Sequence, residues 1–415
     1  NYLSFLRSIS SQMVFSLLFG NNYSSSQAIS KLRIAEERLF QLAVARYGDN
    51  GGDNPRDVVD TANPTSTTSS SSFTTTSSDA SSYQTEVMDT RIQSSSIPLQ
   101  SIENDAITMH SIRVTRVAHD QKDLVVSSSP LVLLHGYMNG AMYYYRNLLG
   151  LSKYFPSVYS LDCLGWGLSS RPAFRPITSS VRSTEDVFVE SLEAWRKEQK
   201  LEKMVLAGHS MGGYLAVAYC ERYPHRVDRL ILISPVGVPV DSNQDSRGRS
   251  SWTSRFIRLL YDWDWTPGSI LRSLPQERGR GMIQTYLEKR LPSLTERPDE
   301  VQALTDYLYY SNATLPPSGE YALQRLLTPH AYARDPTVHR IPNLQVPHVS
   351  FLYGDNDWMD ISGGLQVQKL RSDVQVYQIP KSGHLLMLEN WIDFEKAMYM
   401  AAGGPNVEGP IKFGS

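Results

Sequence analysis

The chain has 415 residues, with 40 Lys and Arg against 42 Asp and Glu for a net charge of -2; no general attraction to nucleic acid or to an anionic membrane is expected, so any membrane affinity must be local. Its length allows two or three average domains, or one α/β core carrying insertions. Cys163 and Cys220 are the only cysteines, too few for a disulfide framework or a cysteine-based zinc site, and they fit a reducing compartment.

Residues 1 to 25 read as a leader. The stretch from 1 to 35 carries Arg7, Lys31 and Arg33, many serines and no acidic residue, which is the balance of a mitochondrial presequence. Leu3, Leu6, Ile9, Met13 and Leu17 line one side of a helix, but Arg7 and the serines make Tyr2 to Phe19 a poor transmembrane span. Contact with a membrane surface is the better expectation, and a leader without structure is the competing one. Because the chain opens on Asn1 rather than Met, further residues are expected ahead of it.

Residues 26 to 58 are expected to hold an N-terminal helix, with Ile29, Leu32, Ala35, Leu39 and Leu42 on one face, Ser26 as cap and Gly48 as stop. Residues 59 to 105 are Ser/Thr-rich, as in Thr65-Ser66-Thr67-Thr68-Ser69, too polar and repetitive to bury a core, and read as a disordered linker. From residue 106 onward strand-like and helix-like runs alternate, which predicts an α/β fold with a mostly parallel sheet flanked by helices. The expected strands are Ile107 to Val117, Leu131 to Leu134, Val158 to Asp162, Met204 to Ala207, Leu230 to Ser234, Val349 to Tyr353 and Val374 to Ile379. Helices are expected over Thr184 to Lys200 and Met211 to Tyr223, and again from near Trp391. The core therefore divides into 106 to 237 and 343 to 402. A helical, proline-interrupted cap of 238 to 342 is inserted between them, and 403 to 415 form a tail.

Within the first core segment, Gly208-His209-Ser210-Met211-Gly212 is a G-x-S-x-G pattern between a strand and a helix. Such a turn lifts the serine hydroxyl above the sheet edge, which makes Ser210 the candidate nucleophile; an ordinary small-residue turn is the bland alternative. His135-Gly136-Tyr137 ends an earlier strand, where the backbone N–H of Tyr137 can face that of Met211 as an oxyanion hole. His384, after the strand Val374 to Ile379, is placed to act as base, since imidazole can accept and return a proton near neutral pH. Asp357, in Tyr353-Gly354-Asp355-Asn356-Asp357-Trp358, is the chosen acid, with Asp355 and Asp360 as competitors. The order Ser210, Asp357, His384 is the one used by α/β hydrolases. The glycine-rich run Asp162 to Pro172 lacks a full phosphate-binding pattern, and no metal-ligand spacing stands out. No cofactor and no metal are expected.

Taken together, His135-Gly136, Asp162 to Pro172, Gly208 to Gly213, Pro235-Val236-Gly237 and Tyr307 to Glu320 resemble one α/β-hydrolase-domain subfamily. It includes the lipolysis co-activator protein, the lysophospholipase acting on N-acyl phosphatidylethanolamine, and fungal cardiolipin-specific deacylases. The resemblance covers roughly Leu32 to Tyr47 and most of 107 to 400. It implies a phospholipid or lysophospholipid substrate, met at a peripheral membrane or lipid-droplet surface, with a helical cap forming the acyl pocket. The co-activator branch carries asparagine where this chain has Ser210, which argues against a purely scaffolding role. An H-x-x-x-x-D pattern, linked in the family to acyl transfer onto lysophospholipids, is altered here, because Glu389 stands five residues after His384.

Three functional readings follow: a serine-dependent (lyso)phospholipid acyl hydrolase, with cardiolipin deacylation in phospholipid remodelling as one form; an acyl-CoA-dependent lysophosphatidic acid acyltransferase; and a non-catalytic lipid-surface adaptor. Trp252, Phe256, Trp263 and Trp265 interleave with Arg255 and Arg258, a mixture suited equally to lipid headgroups and to plain cap packing. Localisation is expected to be mitochondrial and membrane-peripheral, with a cytoplasmic or lipid-droplet location as the alternative.

Overall fold

The computed structural model describes residues 24–49, 59–60, 70–76, 82–93, 97, 107–116, 125–172, 174, 180–240, 266–328, 332–405 and 411–413. Nearly all of the expected leader, and the Trp252 to Trp265 cluster, lie outside the described residues. The strands are β1 (Val59–Asp60), β2 (Ser70–Thr76), β3 (Ser82–Ile92), β4 (Ile107–Arg116), β5 (Leu131–Leu134), β6 (Val158–Leu161), β7 (Met204–His209), β8 (Val227–Ile233), β9 (Val349–Gly354), β10 (Gln375–Ile379) and β11 (Lys412–Phe413). They form one sheet in the order β1-β2-β3-β4-β6-β5-β7-β8-β9-β10-β11.

The centre of the sheet, from β6 through β5, β7, β8 and β9 to β10, is parallel. Parallel strands need crossovers, and the helices that make them cover both faces. The helix Val181–Glu198 joins β6 to β7, Met211–Arg222 joins β7 to β8, and Ser362–Leu370 joins β9 to β10. Every residue of β5, β6, β7 and β9 is accordingly buried. Alternation along β5 sends Leu131 and Leu133 into one apolar layer and Val132 and Leu134 into the other. The helix Val181–Glu198 starts where it does because of a capping box, in which Ser180 Oγ accepts from Ser183 N–H at 3.1 Å and Ser183 Oγ accepts from Ser180 N–H at 3.1 Å.

Two expectations are corrected. The linker of 59 to 105 is not structureless throughout, since β3 pairs antiparallel with β4 from Tyr83 opposite Arg116 to Ile92 opposite Ile107. Tyr83, Thr85, Thr90 and Ile92 are buried there; β-branched threonine suits a strand once a neighbouring edge supplies the backbone partners. The N-terminal helix spans Ser25–Asp49, and its buried stripe is Ala28, Leu32, Ala35, Leu39 and Ala43, while Ile29 is 39% exposed. Ile29 lies at the margin of this stripe, and Glu36, seven residues on and along the same margin, is buried where it meets His110.

Between β8 and β9 the described chain is helical, through Pro267–Ser273, Gln276–Arg290, Pro298–Tyr309 and Gly319–Leu326, with a π-helical turn at Tyr310–Thr314. The N-terminal helix packs against Pro298–Tyr309 and against this π turn. Among the described residues no helix is long and apolar enough to cross a membrane.

Candidate active site

At the carboxyl end of β7 the chain turns into the helix Met211–Arg222 with Ser210 as the only hinge residue, at φ 54° and ψ -113°. A left-handed φ at a residue other than glycine is strained by about 1 to 3 kcal/mol and persists only where its surroundings hold it. Here Ser210 N–H donates to Ile233 O at 2.9 Å, and Ser210 O accepts from Gly213 N–H at 3.1 Å and Val236 N–H at 3.2 Å. The flanking glycines are required by contact distance. A Cβ on Gly208 would run into the Gly212 carbonyl, and one on Gly212 would lie 2.5 Å from Leu134 O. Without those methyl groups the helix start seats against β7 and β5 together.

The candidate base and acid follow β10 and β9, whose ends lie along the same side of the parallel sheet. His384 follows β10, and its Nδ1 lies 3.2 Å from Asp357 Oδ1, just beyond β9. Asp357 Oδ1 also accepts Met359 N–H at 2.9 Å, and Asp357 Oδ2 accepts the Ser234 hydroxyl from the end of β8. Burial works against ionising Asp357, but the hydrogen bond and charge of His384, aided by Ser234 and Met359 N–H, hold the carboxyl below its ordinary range. The two competing acids face elsewhere: Asp355 Oδ1 accepts Ser382 N–H at 3.1 Å, and Asp360 Oδ1 accepts Ser362 N–H at 2.8 Å. Trp358 lays its ring 4.9 Å from the His384 ring, centroid to centroid, and is 52% exposed.

His209 connects this pair to the serine. Its Nε2 donates to the His384 backbone carbonyl at 2.9 Å, and its ring lies 4.7 Å from that of His384. Burial and then the neighbouring His384 charge press the His209 pKa down to about 3, so the ring stays neutral and serves as a tie between the Ser210 turn and the His384 loop.

Tyr137 lies just past β5, beside Gly136, which packs onto the serine turn. A methyl on Gly136 would sit 2.7 Å from His209 Nδ1 and 3.1 Å from Ser210 Cβ. Met211 N–H belongs to the first helical residue, which has no carbonyl four residues back within the helix to bond. The loop that carries Tyr137 is set by Asp162, whose Oδ1 accepts Ala141 N–H at 2.7 Å while Oδ2 accepts Leu168 N–H at 2.7 Å. From the helical insertion, Asn312 Nδ2 donates to Met138 O at 2.8 Å. Arg171 donates to Ser311 O at 2.8 Å and to Pro316 O at 3.0 Å. The Asp162 to Pro172 run thus fastens the insertion to the core.

Asp162, His209, Ser234 and the role of Glu389 were not identified from the sequence. His209 and Ser234 act on partners distant in the chain, whereas Asp162 and Glu389 also bond nearby amides through contacts that only the folded loops define. Glu389 ends the short helix Leu386–Glu389, and Asn390 caps the last long helix, Trp391–Ala401, which begins where expected. Among the described residues, Glu36, His110 and Asp162 are close enough for their ligand atoms to surround an ion. Those atoms are already committed, with His110 Nε2 3.0 Å from Glu36, His110 Nδ1 2.7 Å from Asp89, and Asp162 held by two N–H groups. The cluster is an ion pair that docks the N-terminal helix.

Comparison with known proteins bears on the fold. Residues 129–390 match the model of the alpha/beta hydrolase fold family. A rice protein named probable 1-acylglycerol-3-phosphate O-acyltransferase is 34% identical over 65% of this chain and 66% of its own length. The chain thus spans just under two thirds of that relative. A mouse (lyso)-N-acylphosphatidylethanolamine lipase is 32% identical over 66% of this chain and 77% of its own. The solved structure of a thermophilic esterase from Thermogutta terrifontis shares the fold, with a TM-score of 0.50 at 18% identity, covering 75% of this chain and 97% of that one.

Proposed function

The chain belongs to the α/β-hydrolase fold family, and on that premise we propose that it is a serine-dependent acyl hydrolase of phospholipids or lysophospholipids. The observation that carries this reading is the strained Ser210 turn sharing one sheet edge with a His384 whose Nδ1 is 3.2 Å from a buried Asp357. With Nδ1 facing the acid, Nε2 is the nitrogen left to take the Ser210 proton as the hydroxyl oxygen attacks an ester carbonyl. The N–H groups of Met211 and Tyr137 hold the resulting oxyanion; loss of one such donor typically costs about 2.7 to 4 kcal/mol. His384 returns the proton to the departing alcohol, leaving a Ser210 acyl ester. Water, deprotonated by His384, then releases the fatty acid and restores the serine.

Lipid as the substrate class is supported by relatives named for acyl chemistry on glycerophospholipids. A peripheral membrane or lipid-droplet surface is where such a substrate would be met, and a mitochondrial location fits the acid-free leader. The test is hydrolysis of a panel of cardiolipin, phosphatidylethanolamine and their lyso forms in vesicles, with Ser210→Ala beside the parent. Fatty acid release should fall to background in the variant, and release at the parental rate would end the proposal. Selective cardiolipin cleavage would place the enzyme in phospholipid remodelling.

A second reading is favoured by the name of the rice relative. Acyl-CoA would acylate Ser210 with release of the CoA thiol, protonated by His384, and the hydroxyl of lysophosphatidic acid would take the place of water. Labelled acyl-CoA separates the two, since the label ends in free fatty acid in one case and in phosphatidic acid in the other. Failure of a fluorophosphonate to label Ser210 in the folded parent would favour the adaptor reading over both.

A further inference from the structure

His384 sits at a bend, and the peptide N–H groups on either side of it converge on one carboxylate. Gly383 N–H donates to Glu389 Oε2 at 2.6 Å, and Leu385 N–H donates to Glu389 Oε1 at 3.1 Å. A simple helix cap would need only one of these bonds. Here the second reaches the Ser382–Gly383 peptide, outside the helix Leu386–Glu389 altogether. On its other side the loop is held by Asp355, through Ser382 N–H at 3.1 Å, and by Asn356 N–H donating to Ser382 O at 2.9 Å. The Asn390 side chain donates to Pro380 O at 2.8 Å. Gly383 gives the space this needs, since a Cβ there would lie 3.3 Å from Asn356 O and 3.4 Å from both Glu389 oxygens.

We propose that Glu389 is a positioning residue for His384: its two oxygens hold the Ser382–Gly383 and His384–Leu385 peptides, which bracket the histidine, and so aim the imidazole between Asp357 and Ser210. This rests on the Ser210, His384 and Asp357 assignment above. Holding the peptides at both ends of the Gly383-His384 span limits the Cα–Cβ direction of His384, and a displacement of about 1 Å at a reacting group can cost on the order of a hundredfold in rate. Burial, outweighing the two N–H groups and Arg290, pushes the Glu389 carboxyl above its ordinary range. A half-buried carboxylate in this place is therefore retained at a cost that its bonds to the loop offset only in part. Acting through the backbone, Glu389 has no need to touch either the acyl donor or an acceptor lipid.

Glu389→Gln and Glu389→Asp test this in the full chain. Glutamine sets an amide N–H₂ against one of the two peptide donors, whereas aspartate keeps two acceptor oxygens on a shorter stem. Three readouts are taken on folded protein: fluorophosphonate labelling of Ser210, lipid hydrolysis resolved into kcat and KM, and amide hydrogen exchange at Gly383 and Leu385. Labelling and kcat should fall about tenfold or more in the glutamine variant with KM little changed. Exchange should quicken at both amides, and the aspartate variant should recover part of each loss. Unchanged exchange in both variants overturns the proposal, and so does faster exchange with labelling at the parental rate. Loss of acyl transfer alone, with labelling and hydrolysis intact, would make Glu389 an acceptor-side group and also overturn it. If glutamine does not fold, the aspartate variant alone decides by the same readouts. A parent that fluorophosphonate does not label refutes the Ser210 assignment instead, a result distinct from any of these.

Discussion

Raising the pH should undo the tie between the N-terminal helix and the sheet at a single histidine. His110 is fully buried on β4, with Glu36 of the helix on Nε2 and Asp89 of β3 on Nδ1. Burial alone would keep it neutral, but the charge and hydrogen bond of Glu36, the hydrogen bond of Asp89 and the more distant charge of Asp162 lift its pKa from 6.5 to about 10. A histidine raised on folding contributes stability that is fully present below the unfolded value and is lost as the pH climbs through the folded one. The rise of about 3.5 units, at ~1.4 kcal/mol each, amounts to roughly 5 kcal/mol. Urea unfolding of the parent and of His110→Gln, from about pH 6 to about pH 10.5, isolates this contribution, because lysines and tyrosines titrate alike in both. The parent should be the more stable at low pH, and the gap should close by up to ~1.4 kcal/mol per pH unit between about 6.5 and 10. Parallel curves would refute a charged His110 in the native state.

Arg340→Ala should destabilise the fold by about 3 to 5 kcal/mol in urea unfolding. Arg340 bridges Glu185 at 2.7 Å and Glu221 at 2.6 Å, and its removal leaves the buried Glu185 with only the Tyr214 hydroxyl at 2.6 Å and the exposed Arg182 at 3.7 Å. Gly212→Ala should abolish fluorophosphonate labelling and lower the melting temperature together, since its methyl would lie 2.5 Å from Leu134 O and 2.8 Å from His135 O; full labelling in that variant would mean the turn has more room than the geometry allows.

The parallel core was legible because its strands are short, mostly apolar runs bounded by turn-forming segments. Boundaries at β5, β7, β9 and β10 fall within two residues of those expected. Ser210 could be found because its turn is local: the glycines that permit it are two residues to either side. The choice of Asp357 over Asp355 and Asp360 depends on which carboxylate faces the end of β10, and that becomes definite only when β9 and β10 are paired. β3 was hidden by its composition. Its serine, threonine and glutamate read as linker until β4 offers an edge with free backbone partners. Glu36 escaped notice for a similar reason, since a charged residue on a helix is ordinarily turned to solvent and its partner His110 lies 74 positions away.

The helix Ser25–Asp49 also bears on the order in which the molecule can be made. Its stripe from Ala28 to Ala43 is buried against Pro298–Tyr309 and the π turn, and Glu36 finds His110 on β4. Translation delivers the helix before every one of these partners, and before every strand of the sheet. An emerging chain therefore carries an unmatched apolar face, with an inward-pointing carboxylate in its middle, until the insertion is synthesised. During that interval the exposed apolar stripe is a site of aggregation risk that only the later-made partners remove.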